Sequence, residues 1–146
     1  MANIFNTARY ILQRQGTVST MKLQKLCYYA QAWALVWDDQ PLFDEDFQAW
    51  KNGPVCPELF DVHRGRYSVS EEDIPIEYTS EPELTDEQRN TIDNVLDFYG
   101  KKNAQWLSQL THMEDPWKNA RAGLSNSEPS TMVISKADMA EYYGGL

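Results

Sequence analysis

Ile4, Phe5, Ala8, Ile11 and Leu12 recur at spacings of three and four, which places them on one face of a short helix ended by the Gly16-Thr17 pair. Ser19 or Thr20 then caps a second helix running from Met21 to about Trp37. Its Leu23, Leu26, Ala30, Trp33 and Trp37 form the stripe of a helix buried along one side, flanked by Tyr28 and Tyr29. Residues 38–46 break the period with acids and Pro41, so they read as a loop anchored by Leu42 and Phe43. Phe47 to Trp50 predicts a brief extended segment and Asn52-Gly53-Pro54 a tight turn. Pro57 suits the first turn of a helix through Leu59, Phe60, Val62 and His63, closed by Gly65.

Residues 68–87 hold eight acidic residues and no basic one, which predicts a long surface loop with Val69, Ile74, Ile76, Tyr78 and Leu84 as its possible anchors. Thr85-Asp86-Glu87-Gln88 matches a capping box, and Ile92, Val95, Leu96 and Tyr99 follow at helical spacing up to Gly100. Asn103 caps a helix carrying Trp106, Leu107 and Leu110, and Asp115-Pro116 supplies a cap and first-turn proline for another that Gly123 ends. Residues 124–134 read as a loop, and Ser135 starts a terminal helix with Met139, Tyr142 and Tyr143. The pattern predicts a mainly α fold. It is one compact domain over residues 1–146, a bundle of about six helices with at most a small β element near residues 47–55.

Composition narrows what such a bundle does. Hydrophobic residues make up 42% of the chain, with five Trp, eight Tyr and five Phe, enough bulky side chain to offset the entropy of ordering the backbone. No apolar run approaches the roughly 18 to 20 residues needed to cross a bilayer, and the start lacks an export signal. Two cysteines are too few for a disulfide framework, so a reducing, cytoplasmic setting with free thiols is expected. The formal charge of −9 repels polyanions, which argues against nucleic-acid or anionic-membrane binding and favours a basic protein partner. The first 37 residues hold Arg9, Arg14, Lys22 and Lys25 and no acid, so the negative excess lies beyond them. That asymmetry fits either an acidic face that steers a partner or a solvated surface that maintains solubility.

Catalysis needs a nucleophile, a base within reach and a group to orient the base. Cys27, Cys56, His63 and His112 are the candidates, and no recognisable motif joins them. His112, Glu114 and Asp115 lack the spacing of a metal site, and the seven glycines form no phosphate loop, so neither metal nor cofactor is expected. Thr111, His112 and Asp115 instead suit the satisfaction of backbone groups where one helix stops and the next starts. The segment Trp50-Lys51-Asn52-Gly53-Pro54-Val55 differs in kind, joining a large aromatic, a flexible cation and a tight turn within six residues. It reads equally as a contact surface built around a tryptophan or as a loop whose tryptophan plugs the core.

Three blocks carry a family resemblance: Lys22 through Trp33, Pro41-Leu42-Phe43 with Ala49 through Leu59, and Leu107 through Trp117 on to Ala120-Arg121. In this order they resemble the Panacea domain of SocA-like antitoxins and of GepA-like proteins of phages and mobile elements, over about residues 4–143. Cys56 departs from the pattern, which has an aliphatic residue there. The resemblance implies a compact helical domain without catalytic activity that binds a cognate protein toxin encoded beside it. On an antitoxin reading, partner contacts are expected from Trp50, Lys51, Asn52, Gly53, Pro54, Val55, His112 and Trp117, while the turn chemistry of residues 50–55 suits a structural hinge as well. Neutralisation by direct binding, delivery of the toxin to a Clp protease, and binding of a host protein by a phage-encoded member all stay open. Because the pattern begins close to Met1 and the chain is acidic, no added DNA-binding domain is expected.

Overall fold

Ten consecutive residues, Leu23 to Ala32, are buried in the helix α2 (Thr20–Trp37). With 3.6 residues per turn, such a run is covered on every side, so α2 is the axis of the molecule. The sequence pattern predicts burial along one side only. The difference arises because Gln24, Lys25, Tyr29 and Gln31 are buried as well, each with a hydrogen-bond partner. Trp33 is half-buried, and Trp37, placed in the predicted stripe, is 51% exposed at the helix end.

The computed structural model describes all 146 residues as seven α-helices and five short strands. Around α2 pack α1 (Ile4–Gln15), α4 (Asp86–Tyr99), α5 (Ala104–Met113) and α7 (Lys136–Gly144). The short helices α3 (Pro57–His63) and α6 (Asp115–Ala120) complete the set. One core of 31 buried hydrophobic residues runs through all of these except α6's exposed face, with Trp117, Phe43 and Tyr28 among its largest members. No helix is long and apolar enough to cross a membrane.

The caps follow the sequence closely. Ser19, Thr85, Asn103 and Ser135 each accept from a backbone N–H in the first turn of the helix they precede. Asn3 and Asn6 form a further capping box at α1, a pairing outside the usual Ser/Thr-to-Glu/Gln pattern. Asp115 is not a cap: Glu114 occupies that position, with its carboxyl turned inward rather than onto the helix end.

The β element is larger than predicted. Strands β2 (Phe47–Trp50) and β3 (Gly53–Val55) form an antiparallel hairpin with Trp50 opposite Gly53, so Lys51 and Asn52 make a two-residue turn. Strand β5 (Val133–Ile134), from the stretch predicted to be loop, adds to the other edge of β2. A separate ladder joins β1 (Val18–Ser19) to β4 (Ser68–Val69). Pairings this short carry too little pattern to be read locally.

The acidic stretch after β4 is a loop with two 3₁₀ turns, anchored by Val69, Ile74 and Leu84 as expected. Ile76 and Tyr78, the other expected anchors, are 62% and 49% exposed. Helix α1 fastens this loop through polar groups. Arg9 donates to the Glu71 carboxylate at 2.9 Å and to the carbonyls of Glu71 and Ile74, while Asn3 donates to Tyr78 O at 2.8 Å.

Candidate functional site

A short hairpin at a sheet edge leaves carbonyls without strand partners, and each must find a donor or remain solvated. Here the surrounding helices supply them. Arg121 donates to Ala49 O at 2.9 Å, Trp117 Nε1 to Trp50 O at 2.8 Å and Ser108 Oγ to Asn52 O. Lys25 Nζ donates to Pro54 O at 3.2 Å, and Gln24 Nε2 to Cys56 O at 3.3 Å. Five carbonyls between residues 49 and 56 are thus held by side chains of α2, α5, α6 and Arg121. The three sequence blocks meet at this point.

Gly53 shows how closely they meet. Its φ is +118°, and a Cβ there would stand 2.6 Å from Lys25 Cε and 3.0 Å from Thr111 Oγ1. Only glycine fits both the angle and the space. Lys25 is fully buried, and that burial pushes its amine down to a pKa of about 7. The His112 ring stacks on Trp117 at 4.1 Å, with the Arg121 guanidinium 4.7 Å from the same indole. Burial, and then the charge of Lys25, hold His112 below the usual imidazole pKa.

The expected contact residues therefore divide. Lys51 and Asn52 are exposed at the hairpin tip, and Trp50 and His112 are half-buried beside it. Gly53, Pro54, Val55 and Trp117 are buried, so they position the tip rather than meet solvent. The Trp50 ring neither plugs the core nor stands free. It packs edge-to-face on Phe60 of α3 at 4.9 Å and donates its N–H to Gln48 Oε1 at 2.8 Å. The parts played by Gln24, Lys25, Ser108 and Arg121 escape a reading based on apolar periodicity. For Gln24 and Lys25 the signal was a pair of polar residues inside a largely apolar helical stretch; Ser108 and Arg121 lie in stretches of mixed exposure and carried none.

The candidate nucleophiles are occupied or quiet. Cys27 is fully buried, which raises its thiol pKa well above normal. Burial pushes Cys56 up to about 12, and its Sγ lies 3.6 Å from Glu58 Oε1. Both thiols stay protonated near neutral pH. Gln24 Oε1 accepts the Cys56 N–H, so its amide nitrogen faces His63 and donates to Nε2 at 3.0 Å; that ring nitrogen is an acceptor, not a free base. Burial also lowers the His63 pKa.

Glu114 accepts from Tyr29 at 2.6 Å and Tyr143 at 2.8 Å, and burial raises its pKa. Asp115 points outward to Lys118 at 3.6 Å. The acids beside His112 thus face different ways, and no three His, Cys, Asp or Glu side chains converge to hold a metal ion.

On the outer side of α5, Trp106 and Met113 are exposed, and Lys102 lies 4.8 Å from the Trp106 ring and 5.3 Å from that of exposed Phe98. Ser108, which holds the hairpin tip, belongs to the same helix. The tip and this aromatic face are therefore fixed to one rigid support.

Residues 23–118 match the family described as "Antitoxin SocA-like, Panacea domain". The chain is also similar to Antitoxin SocA of Caulobacter vibrioides (strain NA1000 / CB15N), with 30% identity over 109 residues, covering 68% of this chain and 58% of that protein. The match thus spans less than two thirds of that relative's length. No solved structure matches.

Proposed function

Because the chain belongs to the SocA-like antitoxin family built on the Panacea domain, we propose that it is an antitoxin that neutralises a cognate protein toxin by binding it directly. The observation that carries this reading is the fastened hairpin. Five side-chain donors immobilise its backbone while Lys51 and Asn52 remain in solvent, so the tip meets a partner with little ordering cost. Trp50 and His112 add half-buried aromatic surface beside it, of the kind that makes binding hot spots. Gly53, Pro54, Val55 and Trp117 serve the site by holding that surface in place.

Coexpression with the protein encoded by the neighbouring gene tests the proposal. Growth arrest by that protein is expected to be relieved by this chain, and purified complexes to form between the two. Trp50→Ala with Lys51→Glu is expected to weaken the complex by about 2 kcal/mol or more while circular dichroism stays native. Arrest that persists with the chain present would sink the antitoxin reading. Relief accompanied by a Clp-dependent fall in toxin half-life would replace direct neutralisation with delivery to a protease.

A further inference from the structure

A groove of about 580 Å³ lies between α1, α3 and the loop after β4, with Phe5, Val62, Pro75 and Tyr78 as its apolar surface. Phe5 and Tyr78 meet edge-to-face at 5.5 Å, and Tyr78 is half exposed. Arg9 and Asn3 pin the loop that carries Pro75 and Tyr78, so the groove has a fixed wall. Its charged lining is wholly acidic: Glu58, Asp61 and Asp73. Glu58 also borders a second groove of about 380 Å³ that holds Asp44, Glu45 and Asp46 and ends at Gln48, the acceptor of the Trp50 indole. The two grooves meet at Glu58 and form a trough along α3, apolar at its α1 end and acidic toward the hairpin, where Lys136 pairs with Asp46 at 2.8 Å and donates to Asp44 O at 3.0 Å.

We infer that this trough docks a basic segment of the partner protein, one that sets an apolar side chain against Phe5, Val62 and Tyr78 and its Lys or Arg groups along Asp44, Glu58 and Asp61. This rests on the antitoxin reading and names the chemistry of the toxin's contact. Charge decides the occupant. Nucleic acid is repelled by the margin. A second copy of this chain offers a poor match, because it carries −9 overall and so brings like charge to the acidic margin. The cations paired with the trough's acids are Arg64 on Asp61, Arg66 on Asp73 and Lys136 on Asp46; the two arginine side chains are 69% and 52% exposed, and such solvated pairs exchange readily for an incoming cation.

Association kinetics with the neighbouring gene's product provide the test, using the full chain. Asp44→Lys with Glu58→Lys, both exposed, is expected to slow association about tenfold or more and flatten its salt dependence, because rim charges act mainly on encounter. Tyr78→Ala is expected to speed dissociation about tenfold with association unchanged. A matched reversal on α4, Glu87→Lys with Asp97→Lys, is expected to leave both rates near wild type. Wild-type rates in the trough variants, or equal slowing by the α4 control, would overturn the inference. If Trp50→Ala weakens binding while the trough variants do not, the antitoxin reading stands and the trough assignment falls. Failure of the wild-type chain to bind at all would overturn both.

Discussion

Lys25 and Gly53 are closely fitted, since the Lys25 chain fills the space that a Cβ at Gly53 would need. Gly53→Ala adds a Cβ at a positive φ and 2.6 Å from the Lys25 chain, so it is expected to cost about 3 kcal/mol or more in a urea titration. Gly16→Ala, at φ +74° and ψ −157° in open space, is expected to cost about 1 to 3 kcal/mol from backbone strain alone. Lys25 itself links stability to pH. Its pKa falls from 10.5 in the unfolded chain to about 7 in the fold, so between those values the unfolded chain binds more protons and stability rises with pH. Below about pH 7 the fold carries the full cost of the buried charge. Stability gained by Lys25→Met at pH 7 is expected to shrink by about 2 kcal/mol on going to pH 9, as read by urea titrations of both proteins. Parallel pH profiles would show that Lys25 does not titrate in this window.

Elements here are joined less by long strand ladders than by polar side chains reaching from helices to loop backbones. Helix α2 does this three times. Gln24 takes both the N–H and the carbonyl of Cys56, Lys25 takes Pro54, and Gln31 pairs with Leu42 N–H at 2.7 Å and Phe43 O at 2.8 Å. The predicted anchoring of the 38–46 loop by Leu42 and Phe43 thus depends on an amide as well as on burial. Arg121 plays the same part at the end of α6, where it holds Ala49 O, Ser125 O and Glu128 O. Arg121→Ala is expected to speed amide hydrogen exchange through residues 122–134 while α2 and α4 keep their protection. Equal exchange in wild type and variant would show that the loop is held by β5 pairing alone.

Over the whole molecule the charge of −9 is arranged rather than merely carried. The four cations of the first 37 residues are each engaged within the fold, leaving the acids of residues 38–87 to dominate the surface beside the hairpin and α3. Of the two readings of the acidic excess, this placement favours steering of a basic partner. The hairpin tip, the aromatic face of α5 and the trough along α3 share one scaffold, since Phe60 joins α3 to Trp50 and Ser108 joins α5 to Asn52.

Helix existence and most caps were legible from the chain alone, because periodicity and capping side chains act over a few residues; the tight turn expected at Asn52-Gly53-Pro54 lies instead at Lys51-Asn52, since Gly53 and Pro54 pair with Trp50 and Ala49 as part of β3. The family was legible too, since its blocks are local strings. Which residues of those blocks meet solvent was not. Trp117 reads as a contact and proves to be a buried donor, Lys25, counted in the sequence only as one of four N-terminal cations, lies at the centre, and Glu114 turns from a helix end to two tyrosines 85 and 29 residues away. The two-residue ladders at β1, β4 and β5 were equally hidden. Burial and pairing of this kind depend on which distant segments share a space, and only the packed chain decides that.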